Sequence, residues 1–256
     1  MESYFKMLVE LSSDSSLTEK FLLEDNCRIL SLKAVSDLQK YLTEQKDWIH
    51  NFGLTDQEGK VIGKMFGVLV VINSMNEIGY ISAFSGKLAV GNHHSNFVPP
   101  VFDGLSEESF VNTGMMHLKE INKELERLEN DKVQDHASEI QFLKAERKDH
   151  SILLQNEIFE QYHFLNKYGV EKSLIEIFLK AGYKNPPSGA GECAAPKLLQ
   201  YAFQNSLQPL VLTEFWWGLS PKSDTWKHKQ FYRPCKEKCE PILEHMLEGL
   251  NDFVIL

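Results

Sequence analysis

Gly189-Ala190-Gly191-Glu192-Cys193-Ala194-Ala195-Pro196-Lys197-Leu198-Leu199-Gln200-Tyr201-Ala202 joins a turn-rich approach to a cysteine at a helix start, then to an apolar helical stripe. Two further signals follow it. Pro209 to Phe215 is an apolar run that reads as a strand, and Phe231-Tyr232-Arg233-Pro234-Cys235 opens a last helix through Ile242, Leu243, Met246 and Leu247. Helix, strand and helix, with a cysteine at each helix start, make the C-terminal part of an α/β domain.

Working toward the N-terminus, Leu32, Val35, Leu38, Tyr41 and Leu42 recur at helical spacing. After a turn-rich stretch from Asn51 to Gly59, Lys64 to Asn73 and Ile78 to Phe84 form a β-hairpin whose first strand is apolar on both faces and therefore buried. Gly86 through Pro100 lacks periodicity and reads as a long ordered loop. From Ser106 to Lys167 there is almost no Gly or Pro. Leu118, Ile121, Leu125 and Leu128 make one stripe, and Leu154, Ile158, Gln161 and Leu165 another, with the polar run Glu129 to Asp135 between them. This predicts an antiparallel helical hairpin of coiled-coil type, either a solvated arm with a packing seam or a docking arm that pairs two copies of the chain. Three segments result: 1–105 and 169–256 as the two parts of the α/β domain, and 106–168 as the inserted helices.

Composition narrows the function. With 43% hydrophobic and 25% charged residues the chain is globular rather than disordered. A net charge of −9 excludes a protein that coats nucleic acid with its whole surface, though not a local basic patch. No apolar run approaches the roughly 20 residues a membrane span needs, and no basic leader precedes an apolar one, so the expected location is the cytoplasm, without a membrane partner. Four cysteines in such a chain are expected to stay reduced.

Three of them, Cys193, Cys235 and Cys239, fall at the two helix starts. Thiols spaced four apart on a helix share a face, so Cys235 and Cys239 can converge with Cys193 on one zinc ion, leaving a fourth position for water. Helix N-termini also favour the thiolate form. Small buried residues and a redox pair are the other readings of these thiols. The order of elements resembles the zinc-dependent cytidine deaminase fold, in which a His or Cys two residues before a Glu starts one helix and Pro-Cys-x-x-Cys starts the next. Two departures stand out: Ala195 occupies the place of the proton-shuttling Glu, and Pro234-Cys235-Lys236-Glu237-Lys238-Cys239 has one residue too many between its cysteines. Glu192 and Glu214 are the candidate replacements for the acid–base group.

A second resemblance covers most of the chain. Asn51-Phe52-Gly53-Leu54, Gly63-Lys64-Met65-Phe66-Gly67-Val68-Leu69-Val70-Val71, Phe97-Val98-Pro99-Pro100-Val101-Phe102-Asp103, the Gly189 to Ala202 block, Glu214-Phe215-Trp216-Trp217-Gly218 and Cys239-Glu240-Pro241-Ile242-Leu243 resemble the N-terminal extension of long bacterial RluA-type RNA pseudouridine synthases. In that family the catalytic Asp lies in an Arg-Leu-Asp motif of a synthase domain that follows the extension. The nearest approach here is Arg127-Leu128-Glu129, on the charged insertion. The resemblance therefore implies an accessory module that binds or positions RNA, tRNA or rRNA, beside a pseudouridine synthase domain, without isomerising uridine itself. The stretch that fits such a role runs from Trp216 to Lys238, where Lys227, Lys229 and Arg233 interleave with Trp216, Trp217 and Trp226. The competing reading makes those aromatics core and the cations a solvated rim. The combined expectation is a deaminase-like mixed sheet flanked by helices, interrupted by a helical hairpin. It serves as an RNA-modification accessory, or alternatively as a zinc hydrolase acting on a nucleobase or nucleotide, or as a protein-interaction module.

Overall fold

In the computed structural model, which describes residues 4–10, 24–89, 91–106, 109–131, 134–250 and 252–256, the apolar run Lys64–Ile72 becomes the central strand of a sheet. In chain order the elements are β1 (Lys6–Glu10), α1 (Glu24–Glu44), β2 (Lys64–Ile72), β3 (Glu77–Phe84), α2 (Phe110–Asn130), α3 (Ala137–Glu160), β4 (His163–Leu165), β5 (Glu171–Ser173), α4 (Leu174–Lys180), α5 (Ala194–Gln204), β6 (Gln208–Trp217), β7 (Phe231–Tyr232), α6 (Glu240–Met246) and β8 (Val254–Ile255). The main sheet runs β1-β3-β2-β6-β7, with β8 also on β6. All its pairings are antiparallel except the parallel β6–β8 pair, so the fold is mixed α/β with helices flanking the sheet. The expected hairpin is β2–β3, in register from Phe66 opposite Phe84 to Ile72 opposite Ile78.

The chain forms two compact units, Met1–Val101 with His163–Leu256, and Phe102–Tyr162. In the first unit, successive residues of β6 point to opposite faces of the sheet. Val211, Phe215 and Trp217 join Phe66, Val68 and Val70 of β2 under Leu30, Ala34, Val35 and Leu38 of α1. One polar contact crosses this layer, between the buried hydroxyls of Ser31 and Thr213. On the other face lies α5, with Leu198, Leu199 and Ala202 fully buried. Gly67 makes that approach close: a Cβ there would stand 3.0 Å from Leu198 and 3.1 Å from Ala194. The start of α5 is thereby pressed onto the sheet beside Glu214.

The second unit is the expected antiparallel pair of helices. Ser109 caps α2 through a bond from Val111 N–H, and Ile121, Leu125 and Leu128 form its buried stripe. Lys144 reaches Glu129 at 2.7 Å, Arg147 reaches Asn122 at 3.0 Å, and His150 meets the Gly114 carbonyl at 3.1 Å. These pairs run in opposite directions along α2 and α3, which fixes the antiparallel sense.

The insertion is shorter than its apolar spacing predicted. The stripe from Leu154 through Leu165 stops at Glu160, and His163–Leu165 pairs with Glu171–Ser173 as a hairpin in the first unit. The local cause is Asn166, 2% exposed, whose side chain accepts from Tyr168 and Val170 N–H at 3.0 Å each and builds a turn with Gly169 at φ +75°. Asx turns of this kind compete with helix for the same backbone donors. Ser173 then caps α4 in a reciprocal capping box with Glu176. Among the described residues no helix is long and apolar enough to cross a membrane.

Candidate metal centre

Cys193 is the N-cap residue of α5, extended at φ −72° and ψ 158°, so its side chain stands at the helix mouth rather than along its flank. Gly189 and Gly191, at φ +75° and +90°, turn the chain into that position. Cys239 is the N-cap of α6, with Pro241 in the first turn behind it. Cys235 lies one turn earlier, outside the helix, where its carbonyl accepts from Cys239 and Glu240 N–H at 3.1 and 3.2 Å. The expected helix from Phe231 is therefore much shorter. Phe231–Tyr232 is an edge strand on β6, and the two cysteines meet across a single tight turn instead of sharing a helix face. That turn accommodates the extra residue of Cys-x-x-x-Cys.

The three sulfurs lie within 4.8 Å of one another, and those of Cys235 and Cys239 are 3.4 Å apart. Ligation at about 2.3 Å in a tetrahedron places sulfurs about 3.8 Å apart, which fits within this spread. The cluster can hold a metal ion, and soft sulfur donors suit zinc among the common ones. Cys239 is buried, Cys193 partly so, and Cys235 exposed, which leaves one side of the cluster open to solvent. Hydrogen bonds from Cys193 and Cys239 pull the Cys235 thiol well down, while Cys193 is pushed up first by its bond to Cys235 and Cys239 by both sulfur partners, with burial raising each. Negative charge thus gathers on one sulfur, and a divalent cation would draw off the remaining protons.

Glu214 stands at the same place from the sheet side. It is 3% exposed, on the α5 face of β6, and its Oε1 accepts from Ala195 N–H at 3.1 Å. Burial pushes its carboxyl up to about 8, partly opposed by that bond and raised further by the charge of Cys235. The carboxyl raises the Cys193 and Cys239 thiols in turn. The other candidate, Glu192, is turned elsewhere: its Oε2 is 3.7 Å from Lys197 Nζ, and its carbonyl accepts from Gly86 N–H at 2.8 Å. Lys197, 3% exposed, also donates to the carbonyls of Phe84 and Gly86 at 3.2 and 3.3 Å, clamping the end of β3 to α5. Nothing in the sequence marks this lysine as buried, because lysine beside an apolar stripe normally reads as rim.

The residues expected to meet RNA separate. Trp217 is 3% exposed and belongs to the core, on the opposite face of the sheet from Trp216. Trp216 stacks on Trp226 at 5.2 Å, and Trp226 meets Tyr232 edge-on at 4.7 Å. Lys227, Lys229 and Arg233 are exposed, and the Lys229 ammonium lies 5.6 Å from the Trp217 ring rather than beside that stack. In the histidine pair, His94 bonds the Leu88 carbonyl at 3.0 Å and packs on Phe84 and Trp48, a role in holding the loop.

No known protein family, curated protein or solved structure matches this chain.

Proposed function

We propose that this chain is a zinc-dependent hydrolase of the cytidine deaminase type, acting on the amino group of a nucleobase or nucleotide. The observation that carries the reading is the convergence of Cys193, Cys235 and Cys239 beside a buried carboxyl bonded to the backbone of Ala195. In the deaminase motif the residue two after the first ligand is the proton-carrying Glu. Here that residue is alanine, and Glu214 brings a carboxyl to its N–H from the neighbouring strand.

Cys193, Cys235 and Cys239 would hold the zinc, which would supply a Lewis acid for activating water. Glu214, whose carboxyl is raised to about 8 and so holds its proton near neutral pH, would be the group that delivers a proton to the departing amine. Lys197 and Gly67 act at one remove, holding α5 and its cysteine against the sheet. The test is the metal content of protein purified without a histidine tag, together with ammonia release from cytosine, adenine and their nucleosides and nucleotides. About one zinc per chain is expected, absent after Cys193→Ser, and Glu214→Gln should keep the zinc while losing roughly 10²–10⁴-fold in rate. Tag-free protein without zinc would sink the proposal.

The accessory RNA-binding role is the second reading, favoured by the half-buried Trp226 and Tyr232 and by the exposed Lys227, Lys229 and Arg233 beside them in sequence. A pseudouridine synthase domain as partner rests on the sequence resemblance alone. If the patch holds single-stranded RNA, affinity for tRNA or rRNA stem-loops falls with salt at a log–log slope of about −0.7 per phosphate contact. Replacing the three cations together should flatten that slope, whereas Trp226→Ala should weaken binding at nearly constant slope. Binding that is absent at low salt removes this reading.

A further inference from the structure

On the sheet face opposite the thiols lies a cavity of about 590 Å³, walled by Trp48, Phe52 and Trp217 and edged by Lys46, His228 and Lys229. Glu214 and Trp217 are three residues apart on β6, so they project to opposite sides, and the cavity is separated from the metal centre by the sheet. We propose that this cavity is a binding site for a planar aromatic ring carrying an anionic group, the chemistry of a nucleoside monophosphate.

Four observations converge on that class of ligand. First, among the described residues no acidic side chain lines the cavity, in a chain whose net charge is −9, whereas two lysines and two histidines do. Second, its polar groups are biased toward donors. The indole N–H of Trp48 is buried with no hydrogen-bond partner, a costly arrangement unless an acceptor arrives. His228 accepts from Gly218 N–H at its Nδ1, 3.0 Å away, and so carries a donor on Nε2. Third, Lys229 is one of few non-glycine residues here at positive φ, +65°, and this backbone holds its ammonium 5.6 Å from the centre of the Trp217 ring. Strain of this kind is retained where a side chain must be aimed. Fourth, the walls are rigid. His50 is locked by bonds from Ala89 N–H and to the Ile62 carbonyl, and packs on Phe52 at 4.5 Å, while Phe52 and Trp217 belong to the main core. A preformed apolar slot with a cationic edge and unfilled donors matches a flat ring with a phosphate at one end. A free nucleotide and a nucleotide within an RNA strand share this chemistry.

The experiment is calorimetric titration of the full chain with 5′-UMP and 5′-AMP, with uridine and adenosine as uncharged controls and a uridine hexanucleotide as competitor. The nucleotides should bind at least about tenfold more tightly than the nucleosides, with affinity falling as salt rises. Lys229→Gly removes the cation at a φ that glycine adopts freely, so the fold is spared, and it should weaken nucleotide binding about fivefold or more. Ile49→Asp, at a rim side chain 84% exposed, places an acid beside the cavity and should act in the same direction. Affinity for 5′-UMP, which carries no amino group to be removed, should be the same with and without a strong chelator, which separates this site from the metal centre. Competition by the hexanucleotide would assign the ligand to an RNA strand, and its absence to free nucleotide. Equal binding of nucleosides and nucleotides, no effect of either variant, or no saturation by about 10 mM nucleotide would each overturn the proposal.

Discussion

Removing zinc with a strong chelator, or replacing Cys239 with serine, is expected to lower the unfolding midpoint by about 10 °C. A ligand present at a thousandfold over its dissociation constant stabilises the state that binds it by about 4 kcal/mol. In a chain of this size each kcal/mol moves the midpoint by about 2–4 °C. The effect falls on the last third of the fold, because the cluster ties the start of α5 to the turn before α6. Without the ion, Cys239 retains its packing, its backbone bonds to Cys235 and Leu243 and a sulfur contact with Cys235, and serine keeps the backbone bonds. Calorimetry of wild type and Cys239→Ser, each with and without chelator, checks this. The chelator should shift the wild type down to the variant and leave the variant unmoved. A wild-type midpoint indifferent to chelator would mean that the three thiols are simply buried residues.

The second large effect is expected at Glu214 and depends on pH. In the unfolded chain a glutamate titrates near 4.5, while burial raises it to about 8 in the folded protein. A raised folded pKa means that the native state holds its proton longer. The associated stability is complete below pH 4.5 and is lost progressively as pH climbs toward 8. At about 1.4 kcal/mol per unit, the chelated protein should lose on the order of 4 kcal/mol between pH 4.5 and 7.5 from this group alone. Glu214→Gln keeps an oxygen for Ala195 N–H and cannot ionise. Urea unfolding of the chelated variant should therefore show a flatter profile over this window, and the variant should be the more stable of the two at pH 7.5. If wild type and variant share one slope, Glu214 is not the buried acid that the geometry makes it. The same variant tests catalysis separately, so a stabilised protein that retains zinc and loses hydrolysis would mark a group whose burial serves chemistry at a cost to stability.

Much of the frame was legible from local pattern. The apolar, β-branched run at Lys64–Ile72 gave a doubly buried strand, and the turn at Ser74 to Asn76 gave its hairpin partner. The stripes on either side of Glu129–Asp135 gave an antiparallel helical pair, although residues 132–133 within that break lie outside the described residues. Where periodicity persisted past a turn, pattern reading overran. Leu165 continues a helical stripe yet lies in β4, since spacing registers apolar positions and not the Asn166 side chain that captures the next backbone donors. The short edge strands β1, β7 and β8 carry too few residues to show any period, so only pairing with β3 and β6 defines them.

The candidate site divides in the same way. The sequence by itself determined which residues have the right chemistry: three cysteines at two element starts, two glutamates nearby, and an Ala195 where a glutamate would be expected. Those are properties of residue type and local spacing. Which glutamate faces the thiols, how Cys-x-x-x-Cys converges without a helical face, and why Trp217 parts from Trp216 and Trp226 were decided by tertiary structure. The cysteines converge through the turn before α6, and the other two depend on the alternation of β6 side chains between two packed layers. That alternation sends Glu214 toward α5 and Trp217 toward α1, and it acquires meaning only once helices cover both faces of the sheet.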